Sequence, residues 1–126
     1  VLRDAGISAA DIVHIECDNL SENSRIETRK MLASNPAIDG ILAMSDIIAI
    51  GALEAINDIG RSVPGDIVLI GYDGIPRAGR TRPPLSTIAQ DTVEKGRLAA
   101  ELALGEAIGE NRVLKTRLIV RASSLA

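Results

Sequence analysis

Two aspartates in this chain stand where a predicted strand ends, and a carboxylate at such a position can accept hydrogen bonds from ligand hydroxyls. Asp73 follows the apolar run 67–70 inside the segment Val63–Pro76, and Asp46 follows the apolar run 41–44. Open α/β sheets bind ligands just outside the carboxyl ends of their strands. Both carboxylates are therefore predicted to lie along one edge of a sheet, beside a candidate pocket.

The two aspartates receive different predictions. Asp73 lies between Gly71 and Gly74, whose missing side chains would let a ligand approach the backbone, so we predict a ligand contact. Asp46 opens a predicted helix, where a carboxylate favours the helix dipole, and we predict that structural role for it. Ser45 can either cap the same helix or contact a ligand. Both roles need the same hydroxyl direction, so the sequence leaves both open.

Gln90 supplies a third polar group at the end of a predicted strand, 85–89. Its amide carries both a donor and an acceptor, which suits recognition of a polyol. A solvated strand end explains the local sequence equally well. Both interpretations of Gln90 are open at this point.

The other reactive side chains predict no catalytic or metal chemistry. His14 lies in a strand pattern as a structural or surface residue, and the lone Cys17 has no partner for an internal disulfide. The sequence contains neither a phosphate-binding glycine loop nor a nucleophile elbow, so we expect a binding protein without catalytic residues, cofactor or metal. Three arginines are predicted to form a solvated loop: Arg77, Arg80 and Arg82.

Composition indicates one domain, or part of one, with an aliphatic core. The 126 residues are 46% hydrophobic, yet Tyr72 is the one aromatic side chain among Phe, Trp and Tyr. The net charge of −3, from 14 basic and 17 acidic residues, argues against nucleic-acid binding by this chain itself. No apolar stretch reaches the roughly 18 residues of a membrane span, and we expect a cytoplasmic setting.

Apolar periodicity and turn residues predict the elements that position these side chains. The order is β-α-β-α-β-loop-β-α-β, which predicts an α/β fold with a mainly parallel sheet. The run 67–70 is predicted to be buried on both faces. The predicted strands are Ile12–Cys17, Ile41–Met44, Ile67–Ile70, Leu85–Ala89 and one or two within Val113–Val120; the predicted helices are Glu22–Asn35, Ile47–Ile59 and Thr92–Leu104.

The predicted helix Ile47–Ile59 is apolar on more than one side. A helix of this kind is buried on two sides. We expect one side to meet the sheet and the other to meet a partner subunit. At the start of the chain, residues 1–6 are typical of the last turn of a helix closed by Gly6, so we expect a fragment of a longer protein.

A set of motifs resembles the LacI/GalR family of bacterial transcription regulators. They follow in order along the chain: Ala43–Leu53, Val63–Asp66 with Ile70–Asp73, Pro83–Ile88 with Gln90, and Leu118–Arg121. The resemblance extends from about residue 1 to residue 126. It implies a repressor with an N-terminal helix-turn-helix and a two-lobed effector domain like that of a periplasmic sugar-binding protein.

The resemblance implies that the chain is an incomplete parallel-sheet lobe of a type I periplasmic-binding-protein-like fold. Residues 1–90 would form the second lobe without its first strand, and residues 91–112 would be a crossover helix of the first lobe. Residues 113–126 would be the return strand and C-terminus. The first lobe and the DNA-binding head would both lie outside this sequence.

The resemblance also implies a ligand site and partners. Asp73 and Gln90 match pocket residues of the family, Ser45 stands where many members have a ligand-contacting Asn, and Asp18–Asn19 match a pocket loop. The implied partners are a small-molecule effector, a sugar by family default, and operator DNA bound through the head. A homodimer would form through the Ile47–Ile59 helix and the loop to Pro84. The alternative is the sugar-binding component of an importer, which shares the fold.

Overall fold

The structure, a computed structural model, describes residues 3–105 and 111–125 of the 126-residue chain. The order of helices and strands within these ranges is α-β-α-β-β-α-β, which is the predicted order without its first strand. The helices are α1 (Ser21–Ser34), α2 (Asp46–Asp58) and α3 (Thr92–Ala103), and the strands are β1 (Gly40–Leu42), β2 (Val68–Asp73), β3 (Ser86–Ala89) and β4 (Arg117–Ile119). Short 3-10 turns lie at Arg3–Ala5, Ala9–Asp11, Pro76–Arg80 and Ala122–Ser124.

The four described strands form one sheet in the order β1-β2-β3-β4. β1 pairs with β2 and β2 with β3 in parallel, while β4 returns antiparallel to β3. The α/β fold with a mainly parallel sheet is therefore confirmed. Because β1, β2 and β3 run in one direction, the residues that follow them meet at a single edge, called here the carboxyl edge.

Helix α2 lies between the sheet and helix α1. Its N-cap is Ser45, whose hydroxyl accepts the backbone N–H of Ile48 at 3.2 Å. Gly51 lets α1 come close, since a Cβ there would overlap the carbonyl oxygen of Ser21. The second apolar side of α2 therefore packs on α1 within the same chain. Helix α1 thus covers the side that the sequence analysis expected to meet a partner subunit, and the dimer contact itself stays a prediction.

Two segments predicted as strands are not strands. Residues 12–17 pair with none of the four described strands, and Val13 and Ile15 are 43% and 41% exposed. Val113 and Leu114 also lie outside the sheet, and β4 begins only at Arg117. β propensity alone does not make a strand, because the backbone groups need a neighbouring strand to complete the hydrogen-bond ladder.

The run 67–70 is buried on one face only, so the prediction of burial on both faces was wrong. Ile67 and Leu69 are fully buried, whereas Val68 and Ile70 are partly exposed. Leu42, which is paired with Ile70, is 63% exposed. One face of the sheet packs against α2, and the opposite face is only partly covered by the described residues.

The core between the sheet and helices α1 and α2 is aliphatic, as the composition predicted. The C-terminal turn closes one end of it: the buried Ser123 hydroxyl donates to the Leu69 carbonyl at 2.6 Å and accepts from the Ser86 N–H at 2.8 Å. No helix in the described part of the chain could cross a membrane. The buried apolar residues are Met31, Leu32, Ala43, Ala49, Ile50, Ala52, Leu53, Ala55, Ile56, Val63, Ile67, Leu69, Ala78 and Leu85.

Candidate functional site

Asp73 and Gln90 lie together at the carboxyl edge. β2 ends at Asp73 and β3 ends one residue before Gln90, so parallel pairing brings the two side by side. The Gln90 side-chain Nε2 donates to Asp73 Oδ1 at 2.8 Å, and the Gln90 backbone N–H donates to the Asp73 carbonyl at 3.2 Å. The side-chain bond uses Oδ1 of the partly exposed Asp73, and the second carboxylate oxygen, Oδ2, could accept from a ligand hydroxyl.

Asp73 has a strained backbone, with a φ of +114°. A non-glycine residue in this region costs on the order of 1–3 kcal/mol and persists only where its surroundings impose it. The next residue, Gly74, has a φ of +80° that glycine adopts without strain. Strain of this kind concentrates at functional sites, which agrees with a ligand role for Asp73.

The two glycines beside Asp73 make room for the protein's own atoms. A Cβ on Gly71 would overlap Asp46 Oδ1, and a Cβ on Gly74 would lie 2.6 Å from the Ala89 Cβ. The prediction that these glycines let a ligand approach the backbone is therefore wrong. The case for Asp73 as a ligand contact rests on its position and its available oxygen.

Asp46 is fully buried and holds the turn that follows Asp73. Its Oδ2 accepts the backbone N–H of Gly74 at 2.9 Å and that of Ile75 at 2.8 Å. Asp46 was predicted to serve its own helix, and it does occupy the first turn of α2. Its hydrogen bonds, however, reach across to the end of β2, which local sequence did not indicate.

Ser45, Asn19 and Asp18 form a second group at the carboxyl edge, beyond β1. The Ser45 hydroxyl donates to Asn19 Oδ1 at 2.5 Å while it accepts from the N–H of Ile48. It therefore caps α2 and holds the Asp18–Asn19 loop at the same time. Asp18 Oδ2 accepts from Asn23 Nδ2 at 2.8 Å, which fixes the loop against α1.

The two groups are joined through Asp46. Its neighbour Ser45 belongs to one group, and its carboxylate holds the backbone directly after Asp73 in the other. An open concavity of about 540 Å³ borders the first group, with lining residues Glu16, Cys17, Asp18, Asn23, Ile26 and Glu27. A second, of about 420 Å³, has lining residues Ala89, Gln90, Asp91, Thr92, Val93, Lys115 and Arg117.

Three polar residues near the site escaped the sequence analysis. Thr87 is buried and its Oγ1 accepts the Gly74 N–H at 3.2 Å, and Lys95 Nζ donates to Gln90 Oε1 at 3.3 Å. Asn23 is the third, through its bond to the Asp18 carboxylate. Lys95 lies about one helical turn beyond Asp91, the N-cap of α3, and that spacing was readable from sequence.

Two further candidates from the sequence are Cys17 and His14. Burial raises the pKa of the Cys17 thiol, and the charges of Asp18 and Glu27 raise it further, so the reactive thiolate is disfavoured at neutral pH. His14 is exposed. Within residues 3–105 and 111–125, no cluster of His, Cys, Asp and Glu could hold a metal ion.

The sequence matches known proteins over nearly its whole length. Residues 2–124 match the family described as periplasmic binding protein-like domain. The chain is 47% identical over 77 residues to the ribose operon repressor of Bacillus subtilis (strain 168), which covers 61% of this chain and 24% of that protein. It is 34% identical over 102 residues to the lactose operon repressor of Rhizobium radiobacter, and this match covers 78% of this chain and 90% of that protein.

Solved structures agree with these sequence matches. A LacI family transcriptional regulator from Arthrobacter sp. FB24, in complex with lactose, has a TM-score of 0.84 and 36% identity, covering 98% of this chain and 47% of that one. The lac repressor dimer bound to operator and the anti-inducer ONPF has a TM-score of 0.87 and 30% identity, covering 99% of this chain and 44% of that one. The chain spans about a quarter of the length of the ribose operon repressor that it matches.

Proposed function

The chain belongs to the periplasmic binding protein-like domain family, in its group of LacI-type transcription regulators, and from this we propose that it is the sugar-binding part of a repressor. The observation that carries the proposal is the Asp73–Gln90 pair at the carboxyl edge, with the second carboxylate oxygen available. Sugar hydroxyls could donate to that oxygen and to Gln90 Oε1. No catalytic step is part of the proposal, since the relatives reported above are regulators.

The first sugar to test is D-ribose, because the relative with 47% identity is named for the ribose operon. Lactose is the second, since it is the sugar in the Arthrobacter complex. The described site offers carboxylate, amide and hydroxyl groups without an aromatic ring, and such groups suit a small polyol. Titration calorimetry of the intact protein that carries this sequence should give saturable heat with D-ribose. L-ribose, with the same groups in mirror arrangement, is the matched control.

Ligand control of DNA binding is the second part of the proposal. A sugar that binds one arrangement of the lobes better than the other shifts the equilibrium between them, and affinity for operator DNA then changes through the hinge. DNA selected by the intact protein from a random pool provides the operator probe. Addition of the bound sugar should raise or lower its affinity. Sugar binding by a protein that selects no DNA would instead favour the importer component, and a selected DNA whose affinity the sugar leaves unchanged would contradict ligand control.

The lobe assignment is also a proposal. Residues 1–90 would belong to the second lobe, residues 91–112 to the first, and residues 113–126 to the second again. In support, none of the described residues of α3 is buried, and β4 returns to pair with β3. Residues 106–110 of the crossover lie outside the described residues.

We place the proposed homodimer contact on the parts of α2 and of the loop to Pro84 that this chain leaves exposed. Ile59, just after α2, is 41% exposed, and the turn Pro76–Arg80 is mostly exposed. Ile59→Arg should shift the intact protein toward monomer in sedimentation velocity. Ile26→Arg is the matched control, because Ile26 is 45% exposed on α1. Equal effects of the two substitutions would remove α2 from the interface.

A further inference from the structure

We propose that Asp46 is a positioning residue for the sugar site, acting through the turn that carries Asp73; this inference rests on the proposed function. The hydrogen bonds of the Asp46 carboxylate go to the backbone and not to the side chains of Gln90 or Asp73. Asp46 holds the two peptide N–H groups that directly follow Asp73, at 2.9 and 2.8 Å. Its role is therefore to fix where the Asp73 carboxylate points.

The strain at Asp73 shows why such a residue is needed. A φ of +114° is unfavourable for an aspartate, and a free chain would leave that conformation. Hydrogen bonds from backbone N–H groups to a carboxylate are about twice as strong as neutral ones, and here the carboxylate is fully buried. The two hydrogen bonds that Asp46 accepts from Gly74 and Ile75 hold the strained turn in place.

The space around Asp46 is shaped to accept the whole carboxylate. Oδ1 occupies the volume left open by the missing side chain of Gly71. That oxygen has no hydrogen-bond partner among the described residues 3–105 and 111–125. A buried oxygen without a hydrogen-bond partner lowers the stability of the fold. The presence of Asp46 at this position therefore agrees with a role in positioning the site and not in stabilising the core.

Asp46 also fixes the distance between the two halves of the site. Ser45 is anchored to Asn19 by its side chain, and Asp46 is the next residue along the chain. Any movement of α2 relative to β2 must change both the Ser45 group and the Asp73 turn. The geometry makes Asp46 the connection that keeps the pocket loop and the Asp73–Gln90 pair in register.

The first experiment measures the turn without any sugar. Hydrogen exchange of the intact protein should show the Ile75 amide exchanging about fivefold faster or more in Asp46→Ala, because it loses its acceptor. The Gly74 amide should accelerate less, because it keeps the Thr87 hydroxyl as an acceptor at 3.2 Å. Ser123→Ala is the matched control, since it also removes a buried side chain that bonds to two backbone groups. Unchanged exchange at Gly74 and Ile75 in Asp46→Ala would overturn the inference, whatever the protein binds.

The second experiment asks whether Asp46 acts through Asp73. In D-ribose titrations, Asp46→Ala should weaken binding about tenfold. In an Asp73→Ala background the same change should have less than about a twofold effect, because the positioned group is gone. Asp46→Asn, whose side-chain oxygen can accept both N–H groups, should restore most of the affinity.

A tenfold loss that persists in the Asp73→Ala background would assign Asp46 to general stability and refute positioning. Absence of ribose binding by the wild-type protein would count against the proposed ligand, while the exchange experiment would still decide the role of Asp46. The two failures are therefore distinguishable.

Discussion

The amide of Gln90 donates to the carboxylate of Asp73 across the ends of two parallel strands, at 2.8 Å. The residues are 17 positions apart in sequence, and the register that pairs Asp73 with Ala89 brings them together. The bond uses one carboxylate oxygen of Asp73, and the side-chain oxygen of Gln90 accepts from Lys95 Nζ at 3.3 Å. The Asp73–Gln90 pair is the polar centre of the proposed sugar site.

Asp73→Ala in the intact protein should weaken D-ribose binding by about 1–3 kcal/mol, the usual loss when a polar group loses its partner. Titration calorimetry measures it directly. Asp39→Ala is the matched control, because it removes an exposed carboxylate from the opposite end of β1 and changes the net charge equally. Equal affinities for wild type and Asp73→Ala would refute Asp73 as a sugar contact.

Gly51→Ala should destabilise the protein by about 1–3 kcal/mol, because the added methyl group overlaps the Ser21 carbonyl and forces α1 from α2. Gly96→Ala, on α3, meets no atom within 4 Å and should stabilise its helix by up to about 1 kcal/mol. Urea unfolding of both variants gives the comparison. If the two substitutions shift the urea midpoint of unfolding in the same direction, the close contact between α1 and α2 at Gly51 is not a constraint on stability.

The ion pair between Arg25 and Asp58, at 2.6 Å, links α1 to the end of α2. The hydrogen bond from Arg25 lowers the pKa of the Asp58 carboxyl below its ordinary value of 3.8. The pair therefore stabilises the fold above pH 3.8, and its contribution is lost as the pH falls through the lowered pKa.

Asp58→Asn should accordingly lower the Tm slightly at pH 7, with a difference that narrows as the pH falls below 3.8. Thermal melting of both proteins across this range measures the difference. Glu27→Gln removes an ion pair within α1 and controls for the loss of a surface charge. A Tm difference that stays constant down to pH 2 would exclude the ion pair as its source.

Val93 on α3 is 83% exposed in this chain, which makes it a reporter for the lobe assignment. In a Cys17→Ser background, a Val93→Cys thiol should react with maleimide much more slowly in the intact protein than in the isolated 126-residue chain. The reason is that the proposed first lobe would cover α3. Lys30→Cys, exposed on α1, is the matched control. Equal labelling of Val93→Cys in both proteins would contradict the crossover.

Sequence reasoning predicted the site best where chemistry and chain position coincide. Asp73 is the last residue of β2 and Gln90 follows β3, both of them predicted strands, so parallel pairing was enough to bring the two residues together. Ser45 was left open between two roles, and the structure shows it capping α2 while donating to Asn19. The cap and the bond to Asn19 coexist because a hydroxyl can accept one hydrogen bond and donate another, and a ligand contact by Ser45 stays a prediction.

The failures share a cause, which is that burial and pairing are properties of neighbours far away in sequence. Residues 12–17 have strand propensity but no described strand to pair with. Gly71 and Gly74 signalled close approach correctly, yet the atoms that approach belong to Asp46 and Ala89. A glycine indicates that a side chain would not fit at its position, but it does not indicate which atoms occupy that space.

The sequence by itself determined the α/β class, the aliphatic core and the polar residues at or soon after the ends of β1, β2 and β3, because these depend on local periodicity and residue type. Only the tertiary structure decided that α1 covers α2 and that Asp46 holds the turn after Asp73. The physical reason is that a buried carboxylate finds its donors wherever the fold brings unpaired N–H groups near it, here 28 and 29 residues along the chain.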